Sequence, residues 1–132
     1  MSAITSNSPS PSNALFAYGT LMSGESRHPM LERARIVAVR PASIAGELID
    51  MGDHPGLRLS TYEHHRVQGE LIEFEELDAI LADVDAEEGP EFRRELVNVT
   101  VEGGGNHFAW VYVLAGNSSD AEVIQSGDWR KK

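Results

Sequence analysis

Apolar residues recur along the chain in three rhythms, and each predicts a different element. Residues 14–18 read ALFAY, a short continuous apolar run that stops at Gly19 and predicts a buried strand. From Ile36 to Ile49 the apolar positions Ile36, Val37, Val39, Ile44 and Leu48 alternate only in part, which predicts a bent strand rather than a helix. The segment DMGDHPGLRLS carries two glycines and a proline and reads as a turn, after which Leu57 and Leu59 restart the alternation. Val67–Phe74 is a further strand, with Gly69 marking a bulge or a sharp barrel bend. Leu77, Ile80, Leu81 and Val84 then fall at i, i+3, i+4 and i+7, the spacing of one buried helix face, and Gly89 followed by Pro90 ends it. A short helix is expected at His28–Arg35, where Pro29 suits the first turn. Strands return at Glu95–Val101 and His107–Leu114, joined by the hairpin-type connection EGGGN. Five or six short strands with one clear and one short helix make an α+β chain, and the glycine-marked bends favour a small barrel or strongly curled sheet.

Composition narrows the classes. The length of 132 residues suits one domain with one core. Residues 1–13, MSAITSNSPSPSN, have almost nothing to bury and are expected to form a disordered tail, leaving 14–132 as a single domain. No apolar run approaches the ~20 residues of a membrane helix, so no membrane partner is expected. The net charge of −10 argues against nucleic acid, because Arg93-Arg94 and Arg130-Lys131-Lys132 are too short to track a phosphate backbone. The absence of cysteine removes disulfides and thiolate nucleophiles. The first residues lack the basic start and apolar stretch of a signal peptide, so a cytoplasmic protein is expected.

Candidate chemistry is sparse. His64 and His65 are adjacent and would point to opposite faces of a strand, and His28, His54 and His107 show no metal-ligand spacing. Neither a Gly-x-Ser-x-Gly elbow nor a nucleotide-binding glycine fingerprint occurs. The remaining candidates are the carboxylates Asp83, Asp85, Glu87 and Glu88, crowded toward a helix C-terminus where the dipole opposes them. A buried carboxylate there would have a raised pKa and could serve as a base. Helical phase so near the end of a helix leaves Glu87 and Glu88 equally open.

Several motifs occur in order: Tyr18-Gly19-Thr20-Leu21, Gly46-x-Leu48, GDHPGL at 52–57, VQGEL at 67–71, VDAEEGPEFRR at 84–94, AWVYVL at 109–114 and SGDWR near the end. Together they resemble the gamma-glutamylcyclotransferase-like family, in particular its short gamma-glutamylamine cyclotransferase type, over residues 14–130. The resemblance implies a small mixed, curled β-barrel flanked by helices, with a cavity at one side. It implies that Tyr18, Gly19, Thr20 and Leu21 bind the γ-glutamyl group through their backbone, and that Glu88, in Asp85-Ala86-Glu87-Glu88-Gly89, is the general acid/base. The implied reaction converts a γ-glutamyl amine or γ-glutamyl amino acid to 5-oxoproline and a free amine, with no cofactor and no metal. Phe92 departs from the family's Tyr-x-Arg and lacks its hydroxyl. A different expectation on the same fold is a non-catalytic module that binds a small metabolite. Oligomeric state is not legible.

Overall fold

The computed structural model describes residues 12–62, 64–116 and 121–132. Among them six strands, β1 (Ala14–Ala17), β2 (Ile36–Asp50), β3 (Pro55–Leu59), β4 (Arg66–Phe74), β5 (Phe92–Val101) and β6 (Asn106–Leu114), form one sheet in the order β3-β2-β4-β1-β6-β5. A second pairing, Ala42 with Val101 and Ser43 with Thr100, joins β2 to β5 and closes five strands into a barrel. β3 stays outside the ring as a neighbour of the last part of β2. β1 runs parallel to β6, and the other pairings are antiparallel, so the barrel is mixed and the class is α+β, as expected.

β2 can serve three partners because it is long and bent. Its residues 36–45 pair with β4, its residues 46–50 with β3, and its middle touches β5. The irregular early spacing of its apolar residues corresponds to a register shift between Ile36 and Ala38. From Ala42 to Leu48 alternation is strict, with Ala42, Ile44 and Leu48 turned into the barrel. At Gly69 the ladder shows no register shift. A Cβ there would sit 2.2 Å from the Ala17 carbonyl oxygen, so the glycine serves close strand approach rather than a bulge.

The continuous apolar run of β1 has a direct structural cause: the strand is buried on both faces. Ala14, Phe16 and Tyr18 belong to the barrel interior, with Val67, Leu71, Val99, Val111 and Val113 around them. Leu15 and Ala17 face outward into a second apolar layer. That layer is supplied by a 3₁₀ segment at His28–Ala34, a 3₁₀ turn at Leu77–Ala79 and the helix α1 (Leu81–Glu88). The four phase-predicted residues Leu77, Ile80, Leu81 and Val84 are all buried in it. The first of the predicted helices is thus 3₁₀, and the second begins as 3₁₀ and becomes α.

The segment after the last strand straps back across the barrel. The amide of Ile124 donates to Leu48 at 2.7 Å, and that of Gln68 donates to Gly127 at 2.7 Å. A 3₁₀ turn at Trp129–Lys131 follows, and Arg130 binds the Ser23 carbonyl and the Glu25 carboxylate. Of the tail expected at 1–13, residues 1–11 lie outside the described residues. Ser12 is buried, and its hydroxyl donates to the Phe108 carbonyl at 2.7 Å. The adjacent histidines His64 and His65 do not sit on a strand. They occupy the turn before β4 with ring centroids 4.3 Å apart, so the expectation of opposite faces fails because β4 starts only at Arg66. Among the described residues no helix is long and apolar enough to cross a membrane.

Because β1 has no solvent face, truncating its outward side chain opens a cavity between the two layers. Leu15→Ala is expected to cost about 2–5 kcal/mol in urea unfolding. Val37→Ala, at a side chain 58% exposed, is expected to stay within about 0.5 kcal/mol of the parent.

Candidate active site

The crowding of carboxylates at the end of α1 is answered by arginines from elsewhere in the chain. Asp83 pairs with Arg33 at 2.7 Å, Asp85 with Arg94 at 2.9 Å, and Glu88 with Arg27 at 3.0 Å, while Glu87 lies 3.6 Å from the Arg27 Nε. The adjacent glutamates differ sharply in burial. The Glu87 side chain is 51% exposed and that of Glu88 10%. Gly89, at φ 83°, turns the chain away immediately afterwards, so Glu88 is the last helical residue and is directed inward. Burial pushes the Glu88 carboxyl above its ordinary value. The Arg27 guanidinium, through charge and hydrogen bond, and His54 when charged pull it back, and Glu87 pushes it further up.

Glu88 lines a cleft together with Tyr18, Gly19, Thr20, Leu21, Arg27, His54 and Pro55. The four loop residues named from the sequence therefore meet Glu88 around one space. The loop holds its own carbonyls: Met22 donates to Gly19 at 3.0 Å, Arg27 to Thr20 at 2.8 Å, and His28 Nδ1 to Leu21 at 2.9 Å. The amides of Gly19, Thr20 and Leu21 donate to no partner among the described residues. The result is a row of backbone N–H groups beside the cleft, opposite in polarity to the carboxylate. Gly19 is required there for a reason that the sequence did not show. A Cβ at this position would lie 2.5 Å from the Pro55 Cγ, so its bare face admits β3 rather than a ligand.

Tyr18 differs in kind from the other three. Its ring belongs to the barrel core, and its hydroxyl donates to the Tyr112 carbonyl at 2.5 Å. Burial, and secondarily the Glu88 charge, raise its pKa well above the ordinary phenol value. Tyr112 packs on the outer side of the barrel, and its own hydroxyl reaches Asp85 at 2.7 Å. Burial would raise the Asp85 carboxyl, but the Arg94 fork and the Tyr112 hydroxyl outweigh it and hold the group below its ordinary value. Arg94 also lies 4.4 Å from the Trp110 ring centroid. Asp85 thus ties the helix end to β5 and β6 and fixes where Glu88 sits. Arg93 takes the neighbouring carboxylate of Glu95, whereas Arg94 does not pair locally.

Arg27 and His54 are the cleft residues that sequence reasoning missed. His54 donates from Nδ1 to Asp53 at 2.7 Å and faces the Phe92 ring at 6.1 Å. Its only signal was its place in the GDHPGL motif, and Arg27 had none, since nothing local relates it to Glu88, 61 positions on. Among the described residues no three His, Asp or Glu side chains gather as a metal site.

A family model described as Gamma-glutamyl cyclotransferase, AIG2-like, matches residues 15–131. The chain belongs to this family. It is 37% identical over 123 residues to the gamma-L-glutamyl-butirosin B gamma-glutamyl cyclotransferase of Niallia circulans, an alignment spanning 89% of this chain and 75% of the relative. An AIG2-like protein from Mus musculus superposes with a TM-score of 0.66 at 25% identity, covering 86% of each chain. YkqA from Bacillus subtilis gives a TM-score of 0.68 at 25% identity over 90% of this chain, which spans only 40% of that protein. Family and relative together support an enzyme of the gamma-glutamyl cyclotransferase type. In this AIG2-like chain Phe92 stands where the resemblance placed a tyrosine, and the hydroxyl that reaches Asp85 comes from Tyr112.

The contact of Gly19 with Pro55 makes a specific demand on the loop. Gly19→Ala is expected to lose about 1–3 kcal/mol of stability, because the methyl forces β3 and the loop apart. Thermal melts and the one-bond shift pattern of the residue 19–21 amides in an NMR spectrum would check both effects.

Proposed function

We propose that this chain is a cyclotransferase that converts a γ-glutamyl amine or γ-glutamyl amino acid to 5-oxoproline, with Glu88 as its general acid/base. The single observation that supports the reading is that a buried carboxylate and three loop residues whose amides have no partner among the described residues line one cleft. The α-amine of a γ-glutamyl group attacks its own γ-carbonyl carbon. A new C–N bond closes the five-membered lactam, and the γ-amide C–N bond breaks. Two protons leave the α-ammonium, and two arrive on the departing nitrogen, which leaves as an ammonium. Glu88 carries them one after the other, so no outside acid is needed. The amides of Gly19, Thr20 and Leu21 face the charge that builds on the carbonyl oxygen, a role for which a preorganised backbone needs no reorganisation. Confinement supplies the rest, since a well-oriented intramolecular attack reaches effective molarities of about 10⁵–10⁸ M. Tyr18 contributes its backbone to the cradle and its side chain to the barrel.

The test is a panel of γ-glutamyl amines, γ-glutamyl amino acids and glutathione, read for 5-oxoproline by mass spectrometry. At least one member is expected to be turned over, and Glu88→Gln is expected to lower its kcat by about 10²–10⁴-fold. Full turnover by Glu88→Gln would remove Glu88 from the role of base. Binding without product by the parent chain would instead support a metabolite-binding module.

The electrostatics around Glu88 also fix a pH dependence. The base works ionised, so kcat/KM falls as pH drops through its pKa, and burial places that limb above the ordinary glutamate value of about 4.3. Removing the cation that opposes burial moves the limb to still higher pH. Arg27→Gln is therefore expected to shift the acid limb upward in a pH–rate profile, and a downward shift would contradict the assignment.

A further inference from the structure

An ion pair in the lining of the cleft has the same two charges as the head of a γ-glutamyl substrate. Arg27 Nη1 lies 3.0 Å from the Glu88 carboxylate, and both side chains line the space in front of the loop amides. With the pair formed, the room for the centres of water molecules is about 20 Å³. That is little more than one water needs, so a ligand must rearrange side chains of the lining, of which Arg27 and Glu88 are the charged pair. Parting the pair leaves the buried Glu88 charge uncompensated unless the incoming group supplies a cation, and it frees donors of the Arg27 fork for an incoming anion. A γ-glutamyl head carries a carboxylate and an ammonium on a single carbon, and so can pair with both at once.

We propose that Arg27 is the receptor for the substrate α-carboxylate and changes partner on binding: it releases Glu88, takes the carboxylate, and leaves Glu88 to the α-ammonium. The proposal rests on the cyclotransferase reading. Arg27 is built for the exchange. Its backbone amide is anchored to Thr20 at 2.8 Å, and its Nε lies 3.6 Å from the half-exposed Glu87, a second carboxylate that remains when Glu88 leaves. A guanidinium carries five N–H donors in a planar fork, which allows Glu87 and an incoming carboxylate to be held together. In the empty cleft the base is occupied by Arg27. A substrate with both charges uncovers it, and a compound lacking the carboxylate does not. Arg27 thereby sets specificity for the zwitterionic head and leaves the choice of departing amine to other parts of the cleft.

The experiment compares carboxylate with carboxamide in the parent chain, Arg27→Gln and Arg27→Lys, with thermal melts to establish folding. Binding of L-glutamine and L-glutaminamide, which keep the α-ammonium and differ in the α-carboxylate, is measured by isothermal titration. Turnover is measured on the best γ-glutamyl substrate of the panel and on its α-carboxamide. The parent is expected to prefer the carboxylate by about 100-fold or more, as for loss of one member of a buried charge pair. Arg27→Gln is expected to bring that ratio below about tenfold, and Arg27→Lys to restore part of it, since a lysine keeps the charge and loses the fork. A parent-like ratio in Arg27→Gln would overturn the assignment and give the carboxylate to the loop amides. An Arg27-dependent preference in binding, without 5-oxoproline from any γ-glutamyl compound, would overturn the cyclotransferase reading and leave Arg27 as a carboxylate receptor. A parent chain that binds neither compound would overturn both.

Discussion

β1 is four residues long and has no face toward water. Its inward side chains fill the barrel, and its outward ones are roofed by the helical layer, so it is held from both sides and along both edges. Burial of this kind is non-directional, yet here it has a directional result. The strand ends at the seam between barrel and roof, and the chain that leaves it must run along that seam. The loop from Gly19 to Leu21 occupies this place, and Glu88 at the end of α1 lines the same cleft. The cleft is therefore a by-product of how one short strand is packed, and only its lining needed selection.

The lining sets two principles against each other. Carboxylates at a helix C-terminus oppose the dipole, and a carboxylate out of water prefers to be neutral. The fold tolerates Asp83, Asp85, Glu87 and Glu88 together by bringing Arg33, Arg94 and Arg27 to them from three other segments. For Asp85 the arrangement is complete, with a bidentate guanidinium and a tyrosine hydroxyl, and the group is held firmly ionised. For Glu88 the compensation is partial: one guanidinium hydrogen bond opposes a burial that still prevails. Three positions apart on one helix, the first carboxylate is held ionised, and the second is only partly compensated. Local rules are commonly violated where a site needs a group that its surroundings do not fully satisfy.

Much of this was legible before any coordinates. Period 2 and period 3.6 located the strands and α1, and the i, i+3, i+4, i+7 positions of the helix are the buried ones. The unbroken run ALFAY signalled double burial, and the ordered motifs identified the family. What could not be read locally was the choice between Glu87 and Glu88, since their difference comes from burial by other segments and not from phase. Arg27 was equally invisible, because a lone arginine in a polar loop has no periodicity and its partner lies 61 positions away. The glycine of the loop was legible as a requirement, but its cause was not: the proline ring that needs the space belongs to β3. His54 was visible only as part of a turn, since its proximity to Phe92 is made by the meeting of two distant segments.

The strap after β6 has a consequence for how the molecule comes together. Arg130 grips Ser23 and Glu25, the latter 105 positions away, on the same loop that carries Arg27. The barrel seam beside it joins Tyr18 to Tyr112 across 94 positions. Contacts of such long sequence range bear the loop-closure entropy of nearly the whole chain. The β1–β6 pairing within the barrel spans a similar range, so the core and the loop at 19–27 are both completed by contacts between the two ends of the described chain. The cleft is therefore shaped by the same long-range closure that completes the barrel.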